Sequence, residues 1–89
     1  STFMKNSQNL RDIYLSHTSL QDFDMKYFDF SLFEFLATVS LSHNMLTIVK
    51  LSYFNKNDKL KIINLSFNFI KLIEPNSFNS GIRIIELSN

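Results

Sequence analysis

Four stretches of this chain, residues 10–16, 36–42, 60–66 and 82–88, are copies of one another, and no other feature limits the fold as tightly. Each reads aliphatic, two variable positions, aliphatic, one variable position, Leu, Ser. The anchoring leucines Leu15, Leu41, Leu65 and Leu87 recur after 26, 24 and 22 residues. The likeness runs on past the leucine: Asn44 and Asn68 stand three residues later, with Thr18 in the equivalent place, and Leu20, Leu46 and Ile70 stand five later. A late aromatic keeps the same beat, with Phe3, Phe28, Phe54 and Phe78 lying 25, 26 and 24 residues apart. Phe3 is therefore expected to be the remnant of a further repeat. Such a period marks an architecture in which one unit cannot cover its own apolar face and must stack on the next.

Successive side chains of a strand point to opposite faces, so Ile13 and Leu15 are expected to face in, and Tyr14 and Ser16 out. Stacking Leu15 on Leu41 on Leu65 on Leu87 makes a continuous core under parallel strands ~4.8 Å apart. The turn after each strand leaves backbone amides inside the stack, where an unpaired one costs ~1–3 kcal/mol. Asn44 and Asn68 can answer this, because a side-chain amide donates and accepts at once. Thr18 offers only a hydroxyl, so the first rung is expected to be weaker. Length varies on the return path: eight residues from Phe28 to Leu36, six from Phe54 to Leu60 and four from Phe78 to Ile82. The aromatic-dense stretch 27–35 is expected to form a short helical or irregular turn there.

The phrases Leu41-Ser42-His43-Asn44-Met45-Leu46 and Leu65-Ser66-Phe67-Asn68-Phe69-Ile70 resemble the leucine-rich-repeat motif L-x-x-L-x-L-x-x-N-x-L. They are similar to the form found in Toll-like receptors and insect extracellular leucine-rich-repeat proteins. The resemblance implies an α/β leucine-rich-repeat solenoid, with a curved parallel β-sheet on the concave face and irregular or short helical convex segments. It implies three repeats (10–35, 36–59, 60–81) flanked by partial ones (1–9, 82–89) without caps, and a ladder built on Asn44 and Asn68. It further implies a non-enzymatic binding module from an extracellular or cell-surface receptor ectodomain of innate immunity. The alternative is a cytoplasmic repeat scaffold that docks a partner protein. In either case the expected partners are a protein or other macromolecular ligand on the concave face, and the neighbouring repeats and caps of a parent chain.

Outward positions form columns. The first variable position supplies Arg11, Ala37, Lys61 and Arg83; the position between the two inward residues supplies Tyr14, Ser40, Asn64 and Glu86; the position before the Asn supplies His17, His43, Phe67 and Asn89. The candidate ligand-binding residues are Arg11, Tyr14, His17, His43, Lys61 and Phe67, since aromatic and Arg anchors dominate interfaces. The bland alternative is an ordinary solvated sheet face. His17 and His43 should be neighbours, and an acid-sensing role is conceivable, but two imidazoles alone make no metal site and none is expected. Asn64-Leu65-Ser66 fits the glycosylation sequon, and a glycan there would block its column.

Composition excludes more than it assigns. Nine Lys and Arg are scattered among eight Asp and Glu, which is no nucleic-acid footprint. Without a cysteine there is no disulfide, Cys-based zinc site or thiol nucleophile. Neither a Gly-rich phosphate loop nor a nucleophile elbow occurs, so no enzymatic activity and no cofactor are expected. Asp22 and Asp24 lie in a polar turn, where solvation keeps them ordinary. No apolar run nears the ~18 residues that span a bilayer, and no leader is recognisable, so no membrane contact is expected within this segment.

Overall fold

The computed structural model describes residues 9–87. Phe3, Ser88 and Asn89, all placed in columns above, lie outside the described residues.

Among the described residues there are six short strands: β1 (Asp12–Tyr14), β2 (Thr38–Ser40), β3 (Ile48–Val49), β4 (Ile62–Asn64), β5 (Leu72–Ile73) and β6 (Ile84–Glu86). β-Branched residues make up most of every strand but β1 and β5, as suits a pleated, half-buried surface. Strands β1, β2, β4 and β6 form one parallel sheet in that order, and β3 pairs with β5 in a second parallel sheet. The register joins Ile13 to Val39, Val39 to Ile63 and Ile63 to Ile85, so the spacings of 26, 24 and 22 residues are the strand pairings themselves. This parallel sheet with few helices fits an α/β repeat fold.

Between strands the return path is built from single turns: 3-10 turns at Asp22–Tyr27 and Phe30–Leu32, and one α-helical turn at Leu51–Phe54. The aromatic stretch 27–35 thus contains a helical turn flanked by irregular chain. The Asp22–Tyr27 helix is capped by the Gln21 amide donating to Asp24 Oδ2 at 2.8 Å, and the Phe30–Leu32 turn by the Ser31 amide donating to Asp29 Oδ1 at 3.1 Å.

The core lies under the four-stranded sheet. Leu36, Val39, Leu41, Leu60 and Ile63 are wholly buried, and Leu46, Val49 and Leu65 nearly so. Behind them runs a row of Phe rings, but not quite the row that the spacing predicts. Phe30, not Phe28, stacks on buried Phe54 at 5.8 Å between centroids, and Phe54 stacks on Phe78 at 6.2 Å. Phe28 sits one step further out, 6.3 Å from Phe30. The longer first repeat explains this: the two residues after Phe28 restore the 24-residue interval that also separates Phe54 from Phe78.

Asn44 and Asn68 form the expected rungs. Asn44 Nδ2 donates to the carbonyls of Leu41, Leu15 and Ser42, while its Oδ1 accepts from the amides of Leu20 and Thr18. Asn68 repeats the pattern with Leu65, Leu41 and Ser66 as acceptors and the Leu46 amide as donor. The Thr18 hydroxyl lies 2.7 Å from the Leu15 carbonyl and 3.2 Å from Asn44 Oδ1, and can donate its one proton to either. A second pair of Asn rungs, unforeseen from the sequence, ties the return path. Asn57 Nδ2 donates to the Phe30 carbonyl at 2.8 Å, and Asn79 Nδ2 donates to the Asn57 carbonyl at 3.1 Å.

Candidate functional site

The face of the four-stranded sheet turned away from the core carries two columns set by strand pairing. One is Asp12, Thr38, Ile62 and the register position of Ile84; the other is Tyr14, Ser40, Asn64 and Glu86. The first of these was not among the expected columns, although its parity gives it away: Asp12 stands two residues before outward Tyr14.

This face is not uniformly wet. Tyr14 is 68% exposed, yet Ser40, Ser42 and Ser66 are buried beneath their larger neighbours. Ser16 Oγ lies 2.8 Å from Ser42 Oγ and 3.1 Å from Ser40 Oγ, and the last two are 3.4 Å apart. In such a triangle each hydroxyl can donate once and accept once. The repeated Ser is therefore the floor of the face, a role its fixed place in every copy of the motif could have announced.

One rim of the face is aromatic. The rings of His17 and His43 stack with centroids 4.1 Å apart and planes 15° from parallel, and His43 stacks on Phe67 at 4.3 Å and 10°. The structure thus brings three of the expected residues into one column. All three have left-handed backbones, with φ of 58°, 56° and 57°. That conformation costs a residue with a Cβ ~1–2 kcal/mol, and Gly or Asn would meet the turn more cheaply. Each stacked pair recovers ~0.5–1.5 kcal/mol beyond its burial. The facing sides of the rings are occupied by one another, so the column presents edges and its two end rings, His17 and the half-exposed Phe67.

Arg11 and Lys61 are placed elsewhere. The Arg11 guanidinium lies over the Phe35 ring, 5.8 Å from its centroid, with Lys59 Nζ 6.0 Å from the same ring. Lys61 Nζ would lie 3.4 Å from a Cβ added to Gly81. Each of the two reaches over the residue that precedes the next repeat's first aliphatic. The physical reason is parity: Arg11 and Ile13 are two apart, so strand alternation cannot turn both Arg11 and Tyr14 to one face. Asn64 is half-buried on the face, and its Oδ1 accepts from both the amide (2.9 Å) and the hydroxyl (2.6 Å) of Ser66. The sequon is folded back upon itself.

On the β3 side, away from this face, two groups have shifted acidity. Burial alone would raise the Asp22 carboxyl, but the Thr47 hydroxyl and amide, the Ile48 amide and the charge of Lys50 together hold it below the usual carboxylate value. Burial pushes the Tyr53 phenol up, helped by the negative charges of Asp22 and Glu74. Among the described residues no three His, Cys, Asp or Glu side chains cluster to hold a metal ion, and no helix is long and apolar enough to cross a membrane.

With this geometry in view, the comparison with known families is specific. Residues 59–80 match the family model described as Leucine Rich Repeat. No curated protein and no solved structure matches the chain. Leucine-rich repeats generally mediate protein binding and are typically non-enzymatic.

Proposed function

We propose that the chain is a non-enzymatic, protein-binding module from a leucine-rich-repeat receptor ectodomain, of the Toll-like, innate-immune kind, and that it meets its partner on the concave face of a solenoid. One observation carries this reading: a continuous ring column, His17–His43–Phe67, held by left-handed backbones on the rim of a sheet whose other large side chain, Tyr14, is mostly exposed. Large aromatics that serve no core are the usual anchors of an interface, and small neighbours such as Ser40 serve to exclude water around them.

The test is a selection. The folded chain is panned against displayed secreted and cell-surface ectodomains and, in parallel, against cytosolic proteins. The expected result is a specific binder from the first set whose affinity falls ~10-fold or more when Tyr14 and Phe67 are both replaced by Ser, since loss of two anchors exceeds ~1.4 kcal/mol. A binder insensitive to that double substitution but lost on replacing Phe23 and Tyr27 would move the site to the return path. Binders from the cytosolic set alone would favour an intracellular scaffold.

A further inference from the structure

The two charges in the outward columns of the sheet are of one sign. Asp12 on the first strand and Glu86 on the fourth are both exposed, and they occupy outward positions fixed by the sheet register. Between them the outward positions are Tyr14, Thr38, Ser40, Ile62 and Asn64, none of which is charged. Of the nearby cations, Arg11 lies on Phe35 and Lys61 reaches toward Gly81, while exposed Arg83 holds the equivalent position one residue before the fourth strand, outside both columns. The imidazoles of His17 and His43 stand on the opposite rim, stacked on one another. A sequence whose acids and bases look evenly mixed thus folds so that the two outward columns carry two carboxylates and, among the described residues, no Lys or Arg.

We propose that this face receives a basic segment of a protein partner, with one cationic side chain at Asp12 and Tyr14 and another at Glu86. The inference rests on the reading of this face as the binding surface. At the first strand the carboxylate and the exposed phenol ring are two residues apart on one face, so an arginine can pair with Asp12 while lying against the ring of Tyr14. The second anchor is three strand spacings from Tyr14 along its own column, ~14 Å, which is also the reach of four residues of extended chain at ~3.4 Å each. The intervening Ser floor lets such a segment approach closely. The two carboxylates are too far apart to share one ion, so the fit is to a polymer carrying separated positive charges.

The experiment uses the full chain and two short peptides of equal length, one with two arginines four residues apart and the other with glutamates in their places. Binding is followed by chemical-shift changes of the backbone amides, which also report that each variant is folded. The arginine peptide is expected to bind and the glutamate peptide not. Asp12→Asn with Glu86→Gln should weaken the arginine peptide about five- to tenfold, as befits two exposed ion pairs, and added salt should do the same. Asp12→Lys with Glu86→Lys should transfer the preference to the glutamate peptide. Equal binding of both peptides, no binding of the arginine peptide, or indifference to the Asn/Gln pair overturns the proposal. If Tyr14→Ser with Phe67→Ser abolishes peptide binding while the Asn/Gln pair does not alter it, the face stands and the charge assignment falls. If neither pair matters, both fall.

Discussion

Asn44 holds Leu20 across a repeat boundary: the Leu20 amide donates to Asn44 Oδ1 at 2.9 Å, although the two residues are 24 apart in sequence. The same side chain also donates to the Leu15 and Leu41 carbonyls at 3.0 and 2.9 Å, so one amide serves two repeats. Asn44→Ala would leave several buried backbone groups unpaired. A loss of about 2–4 kcal/mol is expected in denaturant unfolding, with a similar loss for Asn68→Ala. Thr18→Ala removes one hydroxyl proton shared between the Leu15 carbonyl and Asn44 Oδ1, which keeps its two backbone donors, and should lose less, about 1 kcal/mol. Equal losses at all three positions would contradict the ladder.

The two faces of β2 and its flank make a second comparison. Leu41 is wholly buried under the sheet, and truncation to Ala should cost about 2–5 kcal/mol through lost transfer energy and the cavity left behind. Ser40 is outward but also buried, so its replacement is not trivially silent. Because Ser16 and Ser42 still face one another at 2.8 Å, Ser40→Ala should lose below about 1 kcal/mol. Urea melts of the two variants check the ordering, and a Ser40 variant as damaged as the Leu41 variant would refute the assignment of faces.

What could be read from the sequence was whatever the period controls. Inward Ile13, Val39 and Ile63, their pairing register and the rungs of Asn44 and Asn68 all follow from residue spacing. What escaped lay where period and strand alternation no longer rule. Phe30 displaced Phe28 from the ring row because the first repeat carries extra residues that only packing could allot. Arg11 and Lys61 precede their strands and obey the rim, not the face. The rungs of Asn57 and Asn79 stand in the variable return path, where no fixed offset from a leucine announces them. Of the candidate face, Tyr14 and the ring column were legible as columns and the Ser of each copy could have announced the floor, but the left-handed backbones that align the three rings were not legible.

Acid should weaken the joint between the first two repeats. Asp22 accepts from the hydroxyl and amide of Thr47 and from the Ile48 amide, and its carboxyl is held below its usual value. A carboxylate whose folded pKa is depressed contributes stability above its unfolded value, near ~4, and loses it as pH falls through the folded value. Asp22→Asn should therefore be less stable than the native chain at neutral pH, and the gap should close progressively below pH ~4. Paired melts of the two proteins from pH 7 down to pH 2.5 measure it. A gap that stays constant across that range would assign the carboxylate no linked role.

The last expectation concerns Phe67, whose φ of 57° is set by the turn and whose ring is set by the stack on His43. These two demands can be separated by substitution. Asn tolerates the left-handed conformation, so Phe67→Asn relieves backbone strain while forfeiting one stacked pair, and the two effects of ~1 kcal/mol each should nearly cancel. Val forfeits the same pair and, being β-branched, adopts a positive φ only with strain, so Phe67→Val should lose about 1–2 kcal/mol more than Phe67→Asn. Thermal melts of the two variants decide between a turn that dictates the backbone and a ring that does. If Phe67→Asn proved far less stable than the native chain, the ring would be holding the turn. The column would then be a structural strut before it was an interface, and loss of binding in a Phe67 variant would have to be read with that in mind.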